Sequence, residues 1–168
     1  MQKIFLLLGL LFITNLFAQS TSNNWVGAVL KCEQSSMTEK ALKTATVDNC
    51  LEAINILKNK KNRTEYQTHL LGESYYNAAV IYQLGEKYNH NYQKAIEMLR
   101  KAIELDYDKY GNGVASFKLG VYYFFGHGVN KNYVKSYRYF KRAAEYGFPK
   151  AQNALELLCN RVAPWACK

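Results

Sequence analysis

Beyond residue 18 the chain has no apolar run long enough to cross a bilayer, and no polar–apolar alternation long enough for a convincing strand. These absences exclude a membrane-spanning body and an all-β architecture. The usual chemical signatures are missing too. The three histidines, His69, His90 and His127, are scattered, with no second histidine three or four residues on. No serine sits in a Gly-x-Ser-x-Gly context. The cysteines show neither Cys-x2-Cys spacing nor a nearby histidine, which argues against a structural zinc site. Glu97 and Glu104 lie a heptad apart on one helix, and charge pairing with Arg100 and Lys101 accounts for them without acid–base chemistry. Neither a catalytic centre nor a metal or cofactor is therefore expected.

What is present begins at the N-terminus. Lys3 is followed by an apolar run from Ile4 to Phe17, broken only by Thr14 and Asn15 and ending at Ala18. Residues 1–18 read as a secretory signal peptide, shorter than the ~20 apolar residues that span a bilayer. With no cysteine after the cleavage site, a lipid-modified N-terminus is not expected. The mature chain then reads as a single-domain periplasmic or secreted protein without a transmembrane segment. The formal net charge is +9, and removing Lys3 leaves +8. Such a balance can mean nucleic acid, an anionic membrane surface or an acidic protein partner; export lowers the case for nucleic acid, and an acidic protein is the expected partner. Lys58, Lys60, Lys61 and Arg63 form the densest basic run and read as a solvated connection between helices.

A repeat dominates the C-terminal two thirds. Shifting by 41 positions places Ser74, Ala78, Ala79, Tyr82, Lys94, Ala95, Leu99 and Ala102 on Ala115, Leu119, Gly120, Tyr123, Lys135, Ser136, Phe140 and Ala143. The spacing predicts helices near 38–45 and 47–58, with Asp48 as an N-cap, after a polar lead-in at 19–30 anchored by Trp25. Further helices follow at 65–84, where Gly72 marks a bend or a start, and at 92–105. Gly111-Asn112-Gly113 reads as a break before the helix ending at Phe125, and the paired helix ends at Gly147. A last helix runs from Pro149 to Cys159. Ala79, Gly120 and Ala143 allow close helix approach, while Tyr82, Leu119, Tyr123 and Phe140 fill the space between.

Leu119-Gly120-x2-Tyr123, Gly126-His127-Gly128-Val129 and Ser136-x3-Phe140-x2-Ala143-Ala144-x2-Gly147 together resemble the Sel-1-like repeat family, a relative of the tetratricopeptide repeat. The match is specific over 113–155 and looser over 73–105, where Glu86-Lys87-Tyr88-Asn89 replaces the Gly-x-Gly loop. The resemblance implies an all-α fold, a short right-handed α-solenoid of antiparallel helix pairs. Residues 19–64 would form an N-terminal helical cap or degenerate repeat, and 65–168 the repeats with a C-terminal capping helix. Cys32, Cys50, Cys159 and Cys167 are expected to be oxidised. Four cysteines allow three pairings; Cys32–Cys50 with Cys159–Cys167 is favoured because each bridge would close one end of the solenoid.

In superhelical repeats the inner helix lines a concave groove. Phe117, Val121 and Phe124 share one face at i, i+4 and i+7. Their equivalents are Tyr76, Val80 and Gln83 upstream, and Asn153 and Leu157, with Asn160, downstream. These positions are the expected partner-binding residues, unless the chain's own termini fold over them. Among the fourteen tyrosines, Tyr76, Tyr107, Tyr110, Tyr137 and Tyr146 are the candidates for exposed contacts. The resemblance implies a non-enzymatic protein-interaction module, with small exported relatives acting as immunity proteins against secreted toxins. A penicillin-binding or β-lactamase-like activity and a structural envelope adaptor are the alternatives.

Overall fold

A computed structural model describes residues 24–44, 46–85 and 90–168. The signal-peptide expectation for 1–18 and the Glu86–Asn89 segment lie outside the described residues. Among the described residues the chain is all α, a solenoid-like stack of helices.

The longest helix shows how local chemistry sets the frame. Thr64 takes the extended N-cap conformation; its hydroxyl accepts the Gln67 amide at 3.1 Å, and the Gln67 side chain accepts the Thr64 amide at 3.2 Å. This reciprocal capping box satisfies two otherwise orphaned donors. Thr64→Ala should therefore lower stability by about 1 kcal/mol, read as a shift in urea midpoint without a change in slope. Upstream, Arg63 donates to the carbonyls of Leu57 and Lys58 at 3.1 and 3.2 Å, so the basic run is more than a solvated connection. Its guanidinium closes the end of one helix just before the cap of the next.

In chain order the helices are α1 (Asn24–Ser36), α2 (Glu39–Thr44), α3 (Asp48–Lys58), α4 (Glu65–Leu84), α5 (Tyr92–Glu104), α6 (Lys109–Phe125), α7 (Tyr133–Glu145) and α8 (Pro149–Leu157). The packing pairs α4 with α5 and α6 with α7, while α5 meets α6 and α7 meets α8. At the N-terminal end α1 packs on α3 and α4. Helix α1 occupies much of what the sequence presented as a polar lead-in. Ala28, Val29 and Cys32 carry its buried side, while Val26 and Leu30 stay exposed, so the apolar stripe is narrow and easily overlooked. Val47, not Asp48, stands at the cap of α3, and Asp48 lies in the first turn.

Two glycine clusters also work differently from the expectation. Helix α4 runs through Gly72 without interruption, and α6 starts at Lys109 and runs through Gly111-Asn112-Gly113. Asp108 caps α6, its carboxylate accepting the Gly111 amide at 2.6 Å. Both Gly72 and Gly111 face the Tyr107 ring, which a Cβ at either position would overlap. At Gly113 a Cβ would press on the side chains of Tyr146 and Phe148. These glycines admit neighbouring aromatics to the helix surface and do not break the chain.

The small and large positions of the repeat are packed as the spacing requires. Ala79, Gly120 and Ala143 are buried, as are Tyr82, Leu119, Tyr123 and Phe140. Ser136, in the register of Ala95, donates to the Gly120 carbonyl at 2.9 Å, tying α7 to α6. Arg100 hydrogen-bonds the Tyr123 hydroxyl in the next repeat, whereas Lys101 pairs with Glu97 at 2.6 Å. The left-handed residues Gly126, Gly128 and Gly147 sit where the glycine pattern placed them.

Past α8 the backbone widens into a π-helical turn, Leu158–Val162, and then a 3-10 turn, Pro164–Cys167. Leu158, Ala163 and Ala166 bury themselves with Phe140 as a second apolar cluster. A disulfide joins Cys159 to Cys167 across this tail, and another joins Cys32 in α1 to Cys50 in α3. Each bridge closes one end of the stack, as the favoured pairing supposed. Cys32 and Cys50 are 18 residues apart in sequence. Replacing both by serine should cost about 2–3 kcal/mol, from the loop-closure entropy returned to the unfolded chain. Urea melts of oxidised wild type against the double variant would read that difference.

Candidate functional site

The open side of the stack is built from one face each of α4 and α6. On α4 that face carries Glu73, Tyr76, Asn77, Val80 and Gln83, and on α6 it carries Val114, Phe117, Lys118, Val121 and Phe124. Glu73 is exposed and the others are half-buried, in contrast with the fully enclosed positions behind them. The two helices are bridged by Lys118, whose ammonium donates to the Gln83 side chain at 3.1 Å. Burial pushes the Lys118 pKa down from the usual lysine range.

The expected partner-binding residues fall into three neighbourhoods. Phe117, Val121 and Phe124 lean toward the C-terminal apolar cluster, with the Phe117 ring 5.4 Å from Phe140 and 5.0 Å from Phe148. The chain's own C-terminal part thus covers a portion of this stripe. Asn153 and Leu157, with Asn160, line a separate hollow of about 230 Å³. Tyr76 faces a cleft of about 480 Å³, with Val80 and Gln83 continuing along the same face of α4.

That cleft lies where the end of α1, the middle of α4 and the start of α6 converge. Glu33 and Met37 reach it from the α1 side, Glu73 and Asn77 from α4, and Tyr107, Asp108 and Tyr110 from the α5–α6 connection and the start of α6. Tyr107 is wedged between Gly72 and Gly111, and its carbonyl lies 3.4 Å from the His69 ring. Tyr110 is exposed, its ring edge-on to Phe148 at 6.2 Å. Burial, with the nearby carboxylates of Glu73 and Asp108, raises the Tyr107 pKa; burial chiefly raises that of Tyr76. Both phenols therefore stay protonated donors at any ordinary pH.

Three of the five tyrosines singled out as contact candidates, Tyr76, Tyr107 and Tyr110, meet in this cleft. Tyr137 packs instead against the C-terminal cluster, and Tyr146 donates to Asp106 at 2.8 Å. Glu33, Met37, Glu73 and Asp108 were not foreseen. Glu73, Asn77 and Val80 share helical spacing with one another and could have been read as one stripe. Glu33 and Met37 could not, because α1 was not read as a helix. In the Gly126-x-Gly128 loop, Gly128 packs against the backbone of Tyr92 and Gln93.

Stacked antiparallel helix pairs with a cleft on the inner-helix side define a helical-repeat protein of the α-solenoid class. The family model for the Sel1 repeat matches residues 72–107 and 113–148, so these two helix pairs are Sel1 repeats. Sel1 repeats are in general protein–protein interaction modules rather than catalysts. Comparison with curated proteins and with solved structures returned no match.

Proposed function

We propose that this chain is an exported protein-docking module that receives its partner on the open side of α4 and α6. The observation that carries the reading is the cleft of about 480 Å³, which gathers three tyrosines on the inner-helix side of two Sel1 repeats. Tyrosine offers broad contact area with few rotors to freeze, as recognition surfaces need. Disulfides at both ends of the stack support an oxidising, extracytoplasmic setting. The overall positive charge would speed the approach of an acidic partner.

The test is crosslinked capture from the envelope fraction followed by calorimetry with the purified partner. Val80→Glu/Val121→Glu should weaken binding at least tenfold, read at a temperature where circular dichroism shows the variant still folded, because Val121 also packs on the C-terminal cluster. Unchanged affinity would move the docking surface elsewhere. The narrower role of neutralising a secreted toxin comes from the family analogy. It requires the purified partner to be an enzyme or pore former whose activity stops at one-to-one stoichiometry. A partner left active would make the chain an adaptor.

A further inference from the structure

Among the described residues, the cleft of about 480 Å³ is lined by three carboxylate residues, Glu33, Glu73 and Asp108, and by no lysine or arginine. This inverts the balance of the whole chain, which has 22 Lys and Arg against 13 Asp and Glu. The local sign therefore cannot follow from composition. The carboxylates are also differently engaged. Asp108 is committed to the α6 cap, and Glu73 lies 3.3 Å from the His69 imidazole, a partner that is charged only when protonated. Glu33 makes no ion pair among the described residues. The charge that faces the cleft is thus largely uncompensated from within.

Shape and chemistry narrow the occupant. Among the described residues no group of His, Cys, Asp or Glu converges closely enough to hold a metal ion. The negative groups are spread around an aromatic-walled space, which suits a large, diffuse cation rather than a compact one. Tyr107 is fixed by its seat between Gly72 and Gly111, and Tyr110 stands exposed at the rim. Aromatic faces beside carboxylates attract ammonium and guanidinium groups through the ring quadrupole together with ordinary ion pairing. A cavity of this size admits one long side chain with its stem against Met37 and Val114.

We propose that the cleft is the receptor for one arginine or lysine side chain presented by the partner protein. This deepens the docking reading and rests on it. It also divides the electrostatics between two ranges: the net positive charge acts on approach, and the acidic aromatic cleft anchors a single basic residue on contact.

The test uses the full chain and small probes, so no partner is needed. In a ¹H–¹⁵N titration, Nα-acetyl-arginine amide and Nα-acetyl-lysine amide should give saturable shifts at Glu73, Asn77, Gly111 and Val114. The uncharged Nα-acetyl-norleucine amide should leave those amides in place. Glu33→Gln/Glu73→Gln, which spares the Asp108 cap, should weaken probe binding at least tenfold with an unchanged melt. Tyr110→Ala should weaken it less. Equal shifts from norleucine amide, shifts only outside the cleft, no shifts at all, or indifference to the double variant would each overturn the proposal. The two readings fail separately. If the probes do not seat but Val80→Glu/Val121→Glu still abolishes partner binding, docking stands without the cationic anchor. If the probes seat but the partner ignores both sets of variants, the docking reading falls.

Discussion

Phe140→Ala is expected to lower the free energy of unfolding by about 3–5 kcal/mol, a large share of the stability of a domain this size. Phe140 is 3% exposed and packs between α6 and the C-terminal turns. Its ring presses on Gly120 of α6, lies 5.4 Å from Phe117, and anchors the C-terminal cluster of Leu158, Ala163 and Ala166. Truncation leaves a cavity that the glycine opposite cannot fill. The dependence on Gly120 gives a sharper check. A Cβ at Gly120 would overlap the Phe140 ring, so Gly120→Ala should destabilise despite alanine's better helix propensity. In the Phe140→Ala background the clash is gone, and the same change should become neutral or stabilising by up to about 1 kcal/mol. Urea denaturation of the four proteins gives the coupling directly. Additive effects would mean that the two residues do not meet as described.

Gly128→Ala should cost about 2–5 kcal/mol, combining left-handed backbone strain with overpacking. The residue has φ +67°, and a Cβ would come within 2.6 Å of the Tyr92 Cβ and 2.9 Å of backbone atoms of Tyr92 and Gln93. The obstacle is the start of α5, which cannot swing aside as a flexible side chain could. Gly147 isolates the first contribution: it has φ +79° and open space where a Cβ would stand, so Gly147→Ala should cost only about 1–2 kcal/mol. A thermal melt should rank the two variants in that order. Equal losses would show that the loop does not rest on the neighbouring repeat.

How legible these features were depended on whether one residue type carried one physical message. Repeat-core positions such as Leu119, Tyr123 and Phe140 were readable because size and helical period agree. Gly126, Gly128 and Gly147 were readable because glycine in a short loop or at a helix end points to left-handed backbone. Gly72 and Gly111 were misread for the opposite reason. A glycine that makes room for Tyr107 looks in sequence like one that ends a helix, and only the long-range partner distinguishes them. Helix α1 was missed because its buried side relies on Ala28, Val29 and Cys32 and leaves Val26 and Leu30 exposed, which blurs the period. The cleft inherits both errors, since α1 supplies Glu33 and leads into Met37, and Tyr107 sits on the two glycines. The tyrosines were legible as contact residues; their meeting place was not.

The central claim is that a protein docks on the open side of α4 and α6. A photocrosslinking benzoylphenylalanine placed at Tyr110, and in a second protein at Arg138 on the exposed side of α7, tests it most directly. Both positions are exposed, and an aromatic for tyrosine disturbs the cleft least. The account predicts one dominant protein adduct from Tyr110, competed away by unlabelled wild-type chain, and none from Arg138. The same partner crosslinked from Arg138 and not from Tyr110 would contradict it.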